Sequence, residues 1–152
     1  MPFYAAEGFF GALEVYLELL EHEVKSKDLR KKIKRLLYYL LDQPRLAFSK
    51  RYPIAKPRSL LNRARYVLIT TSRKDEARRL AERALRYARE LKMRYDEGLI
   101  LEFIGTHVCD DNSRRDRLLN DAHKIFKELG ATWNCNQVDQ RLKQASDAST
   151  IP

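Results

Sequence analysis

A helix pair that occurs twice constrains this chain more than any other feature. Its first helix reads Leu61, Ala64, Arg65, Leu68 and then Leu101, Ile104, Gly105, Val108, an offset of 40. Its second reads Ala77, Ala81, Ala84 and then Ala122, Phe126, Leu129, an offset of 45. The extra five residues are assigned to Cys109–Ser113, between the helices of the second pair. A unit of this kind cannot bury its apolar face alone, so it stacks on neighbours and builds a surface rather than a closed pocket.

The 152 residues suffice for one domain with a real core. The expectation is a single domain over 1–145 with a frayed tail over 146–152. Only five Gly and five Pro are present, which favours helices with few tight turns. No apolar run approaches the roughly 18–20 residues needed to span a bilayer. Met1-Pro2-Phe3 does not read as the start of a signal peptide. Two cysteines, Cys109 and Cys135, make no disulfide framework, so a cytoplasmic setting is expected.

The net charge of +9 is unevenly spread. Residues 25–94 hold 23 Lys/Arg against 6 Asp/Glu, residues 1–24 hold five acids and no Lys or Arg, and residues 95–152 are mildly acidic. A basic middle between acidic ends implies an anionic partner or complementarity between neighbouring helices.

Apolar spacing predicts a helix over about 6–24, with Phe9, Phe10, Leu13, Tyr16, Leu17 and Leu20 inward. A second, capped by Asp28, runs over about 28–42 with Leu29, Ile33, Leu36, Leu37, Leu40 and Leu41 inward. Pro44 kinks or ends it, and a short helix resumes through Leu46, Ala47 and Phe48. Tyr52-Pro53-Ile54-Ala55-Lys56-Pro57 is the clearest break, with Pro57 set to open the next helix, about 58–71. Ser72-x-x-Asp75 reads as a capping box for a helix over about 73–91. Further helices are expected over about 95–108, from the Asp110–Ser113 loop to Leu129 with Gly130 as a left-handed cap, and over about 133–145. No segment alternates as a strand would.

Both halves keep tetratricopeptide spacing: a small residue twelve after the seam position of the first helix (after the insertion, in the second half), then packing residues four and seven further on. The order of Ala12–Leu17, Tyr52–Leu61, Ala88–Leu99 and Ala122–Ala131 resembles the C-terminal tetratricopeptide-like region of large signalling ATPases, the soluble-type adenylyl cyclases among them. The resemblance spans about 10–135 and departs from the pattern at Arg65, where a small residue is usual; the pair over 6–42 matches poorly. It implies an all-α, right-handed stack of antiparallel helix pairs, about seven helices in all. It further implies a regulatory piece of a larger enzyme, since the chain has no Walker A sequence and no cyclase metal-binding segment.

No catalytic residues, metal site or cofactor are assigned. His107-x-Cys109-Asp110 lacks the partner pair that a zinc site wants. Cys109 precedes two aspartates, which oppose a thiolate, and Cys135 has no base–orienter pair. Asp96–Glu97 and Asp110–Asp111 suit helix starts.

Binding is the stronger reading. In tetratricopeptide register Asn62, Tyr66 and Ile69, then Glu102 and Thr106, face a groove, while Arg58, Arg63 and Arg65 belong to a basic belt that docks on an acidic protein partner or on upstream domains of the same chain. Self-association through bare helix faces is a further possibility. The alternative is a nucleic-acid-binding domain, with Arg30, Lys31, Lys32, Lys34, Arg35, then Lys50, Arg51, Lys56, Arg58, Arg63, Arg65 and the arginines of 78–89 on phosphates and Tyr38, Tyr39, Tyr52 and Tyr87 stacking on bases. No membrane partner is expected.

Overall fold

The computed structural model describes the backbone of residues 3–23 and 26–148, and side-chain surroundings for 8–22, 26–41 and 52–144. Among the described residues the chain is all-α, with seven α-helices and no strand. They are α1 (Phe3–Glu18), α2 (Lys27–Arg51), α3 (Lys56–Thr71), α4 (Lys74–Glu90), α5 (Arg94–Phe103), α6 (Asn112–Glu128) and α7 (Thr132–Ala148). Two compact units divide the chain, residues 1–84 and 85–152.

In the first unit α1, α2 and α3 pack on one another. Phe10, Leu13, Leu17 and Leu20 meet Ile33, Leu37 and Ala55 in one core, with Tyr66 and Ile69 against its edge. Apart from Ala55, in the turn before α3, each residue sits at a three- or four-residue step along its helix, which is why the apolar stripes were readable. The last turn of α1 widens into a π-turn over Leu19–Glu23. There the Arg30 guanidinium donates to the Leu20 carbonyl at 2.8 Å.

In the second unit α5 packs on α6, and α6 on α7, around Leu101, Leu119, Ala122, Ile125, Phe126 and Val138. Two glycines let α5 approach α6. A Cβ at Gly98 lies 2.7 Å from the Phe126 ring, and one at Gly105 lies 3.1 Å from Leu119. Ile104–Val108 continues α5 as a second π-turn.

Four local expectations are corrected. The second helix does not end at Pro44: α2 is helical through to Arg51. Proline forfeits one backbone hydrogen bond there, but its φ is itself helical. Leu46, Ala47 and Phe48 therefore continue α2, and their side chains, like those of Lys50 and Arg51, lie outside the described residues. Ser26, not Asp28, caps α2, its Oγ accepting the Leu29 N–H at 3.4 Å. Ser72 closes α3 instead of opening α4. Its φ is +55° and its N–H donates to the Leu68 carbonyl, whereas an N-cap needs extended backbone. Leu29 and Leu36 are exposed, because the stripe offers more leucines than the facing helices cover.

The repeat itself has a different register on its second helix. α4 and α6 are both 17 residues long and start at Lys74 and Asn112, 38 apart. α5 and α7 start at Arg94 and Thr132, again 38 apart. The buried set Ala81, Ala84, Ala88 corresponds to Leu119, Ala122, Phe126 at that same spacing, while Leu129 is exposed. The connection between the π-turn and α6 is only Cys109–Asp111, so no five-residue insertion is present. The apparent offset of 45 differs from 38 by one heptad, which returns nearly the same helix face to the same place. On the first helix the buried pairs Leu61, Ala64 and Leu101, Ile104 keep the spacing of 40.

The helix ends follow their chemistry. α4 closes with Lys92 at φ +54°, the Met93 N–H on the Ala88 carbonyl and the Lys92 N–H on the Arg89 carbonyl. α6 closes identically with Gly130 at φ +69°, Ala131 on Phe126 and Gly130 on Lys127. These are paired Schellman motifs. Asp111 caps α6, accepting the Ser113 N–H at 2.9 Å. Pro57 stands in the first turn of α3, after a 3₁₀ turn over Pro53–Ala55. α7 reaches Ala148, past the expected end at 145; residues 149–152 lie outside the described residues.

Candidate interaction surfaces

Two of the three belt arginines, Arg58 and Arg65, are matched inside the first unit. The Arg58 Nη1 lies 2.7 Å from Glu14 Oε1. Arg65 reaches Glu18 at 3.1 Å and Glu21 at 3.5 Å. Each acid is on the outer side of α1 or its π-turn, one or two turns apart, so α1 lays an acidic edge along basic α3. Complementarity between neighbouring helices is therefore how Arg58 and Arg65 are used. It also accounts for Arg65 at a position where tetratricopeptide units carry a small residue.

Arg63 has a different setting. With Tyr66 and Thr70 of α3 and Tyr38 and Leu41 of α2 it lines a half-open pocket of about 180 Å³, rimmed by Arg73 and Glu76. Tyr66 donates its O–H to the Lys34 carbonyl at 3.2 Å. Burial, and to a lesser degree the nearby Tyr38, raise the Tyr66 phenol above its ordinary value, so it stays a neutral donor. Arg73 and Glu76 pair at 3.0 Å.

The other groove-register residues are Asn62, Ile69, Glu102 and Thr106. Asn62 is 1% exposed, and its Nδ2 has no hydrogen-bond partner among the described residues. Ile69 packs on the core of the first unit. Glu102 and Thr106 belong to the second unit. Glu102 lies 3.0 Å from the Arg141 Nε, an ion-pair distance at an angle too poor for a hydrogen bond. The Thr106 hydroxyl is buried without a partner among the described residues. So Arg63 and Tyr66 share a pocket, Arg58 and Arg65 pair with acids of α1 and its π-turn, and Ile69 packs beside Tyr66 on the core of the first unit.

Sequence reasoning missed an exposed apolar feature of the second unit. Trp133 is 70% exposed, Leu129 47%, Tyr95 42% and Leu91 36%, all in the second unit. They form two equivalent pairs at the spacing of 38: Leu91 with Leu129, and Tyr95 with Trp133. Each leucine ends a second helix of the repeat, and each aromatic stands in the first turn of the next helix. Two contacts bring the turns side by side. Arg94 joins Glu97 at 2.8 Å and Glu128 at 3.0 Å. Tyr95 donates to Asn134 Oδ1 at 3.3 Å while its ring meets Phe126 edge-on. Glu128, then Glu97, hold the Arg94 guanidinium above its ordinary value. The signal that could have found this ridge is the repeated order leucine, αL cap, aromatic, but only once the register of 38 is known.

Glu97 accepts from both Arg89 at 2.9 Å and Arg94. His107 packs on the Phe103 ring. His123 Nε2 lies 3.3 Å from Asp139 Oδ1, linking α6 to α7. Cys109 and Cys135 are free thiols, both half-buried. Among the described residues no three His, Cys, Asp or Glu side chains cluster as metal ligands, and no helix is long and apolar enough to cross a membrane. Comparison with family models, with curated proteins and with solved structures found no match.

Proposed function

We propose that this chain is a non-catalytic helical-repeat module that binds a protein partner through the ridge Leu91, Tyr95, Leu129, Trp133. The carrying observation is the repetition. Two successive turns expose the same pair of residue types, although exposed tryptophan and leucine bring no benefit to an isolated fold. Aromatic side chains at the centre of a patch are the residues that most often anchor protein interfaces. Arg94 and Glu128 supply a polar rim.

The reading extends to the resemblance. The helix pairs stack as tetratricopeptide-like units, and the partner is a catalytic or ATPase core of a larger signalling enzyme, on the same chain or another, in a reducing cytoplasmic setting. A photo-crosslinking residue replacing Trp133, introduced into the endogenous protein in cells, tests it. One dominant adduct is expected, absent when the crosslinker replaces Lys143 and lost when Tyr95→Glu and Leu129→Glu are added. Equal labelling from both positions rules out a dedicated ridge.

A further inference from the structure

The first unit carries a second surface of different chemistry. α2 turns its apolar residues Ile33 and Leu37 into the core and leaves two outward rows. One runs Lys31, Arg35, Tyr38, and the other Lys32, Leu36, Tyr39, each at steps of four and three. Tyr38 is 63% exposed and Tyr39 61%. Lys31, Lys32, Arg35 and Arg63 make no ion pair among the described residues, in contrast to Arg58 and Arg65. The first row leads into the pocket at Tyr38, where Arg63, Tyr66 and Arg73 stand. Among the described residues the acid at the pocket is Glu76, already held by Arg73, and Asp28 stands in the first turn of α2.

We propose that this face of α2 and the pocket beside it bind single-stranded nucleic acid. Unpaired cations along a row track phosphates, and exposed tyrosine rings beside them stack bases without regard to sequence. A bilayer surface fits less well. A membrane-lying helix presents its apolar face to the acyl chains, and that face of α2 is already buried against α1. An acidic peptide would use the cations and leave both rings without a role.

The test is fluorescence anisotropy of the full chain with a labelled uridine 20-mer. Controls are a duplex of equal length, a polyglutamate peptide, and vesicles carrying anionic lipid. Binding to the single strand is expected, with a slope of log affinity on log salt of about −3 if four cations meet phosphates. Tyr38→Ala and Tyr39→Ala should each weaken binding by about tenfold or more and leave the slope unchanged. Tyr38→Phe and Tyr39→Phe should retain affinity, which separates loss of the ring from loss of the fold. Arg35→Glu should reduce the slope. No binding at low salt, or equal loss in the Phe variants, overturns the proposal, as does polyglutamate, duplex or vesicle binding as tight as the single strand. The ridge crosslink at Trp133 should be unaffected by any of these variants, so the two surfaces fail or stand separately.

Discussion

Among the described residues three backbone positions carry a positive φ, and only one of them is glycine. Ser72, Lys92 and Gly130 all close helices, but the serine and lysine bear a Cβ where left-handed backbone disfavours one. Lys92→Gly should therefore stabilise the chain by up to about 1 kcal/mol, and Gly130→Ala should destabilise it by about 1 kcal/mol. Urea unfolding of the pair reads both signs against one reference. The opposite constraint acts at Gly98, which has no left-handed requirement but faces the fully buried Phe126 ring at 2.7 Å from any Cβ. Gly98→Ala should cost about 1–3 kcal/mol through displacement of that ring. A change below a few tenths would mean that α5 and α6 do not approach as described.

Between elements, the decisive contacts in the first unit are ionic as well as apolar. Glu14 and Arg58 are 44 residues apart and meet at 2.7 Å with the arginine side chain mostly buried. A double-mutant cycle on this pair should give a coupling of about 0.5–1 kcal/mol that shrinks in high salt. Additive single mutants would mean that α1 is not held on α3 by this edge. Helix identity was legible in the sequence because apolar spacing and local end signals agree at Phe10–Leu20, Pro57, Asp111 and Gly130. The repeat register was not, because a shift of seven residues keeps Ala77, Ala81 and Ala84 in phase with Ala122, Phe126 and Leu129. Ser72 misled for a related reason: serine before an acid signals an N-cap only when the preceding helix has not already claimed its N–H. The pairing of Arg58 and Arg65 was visible only as charge asymmetry, since partners 44 and 47 residues away leave no local mark.

Across the whole chain, the first unit spends part of its charge on its own α1 and leaves the rest on α2. The second leaves aromatic and leucine side chains uncovered at its turns. The claim that binds these together is that the register of 38 puts Tyr95 and Trp133 outward at equivalent places. Trp133 is the only tryptophan in the sequence, so its emission reports this without ambiguity. Acrylamide quenching of the purified full chain is the most direct test. The account predicts red-shifted emission, quenched nearly as readily as free indole. Blue-shifted emission that resists quenching at all protein concentrations would show Trp133 to be buried, contradicting both the register of α7 and the ridge.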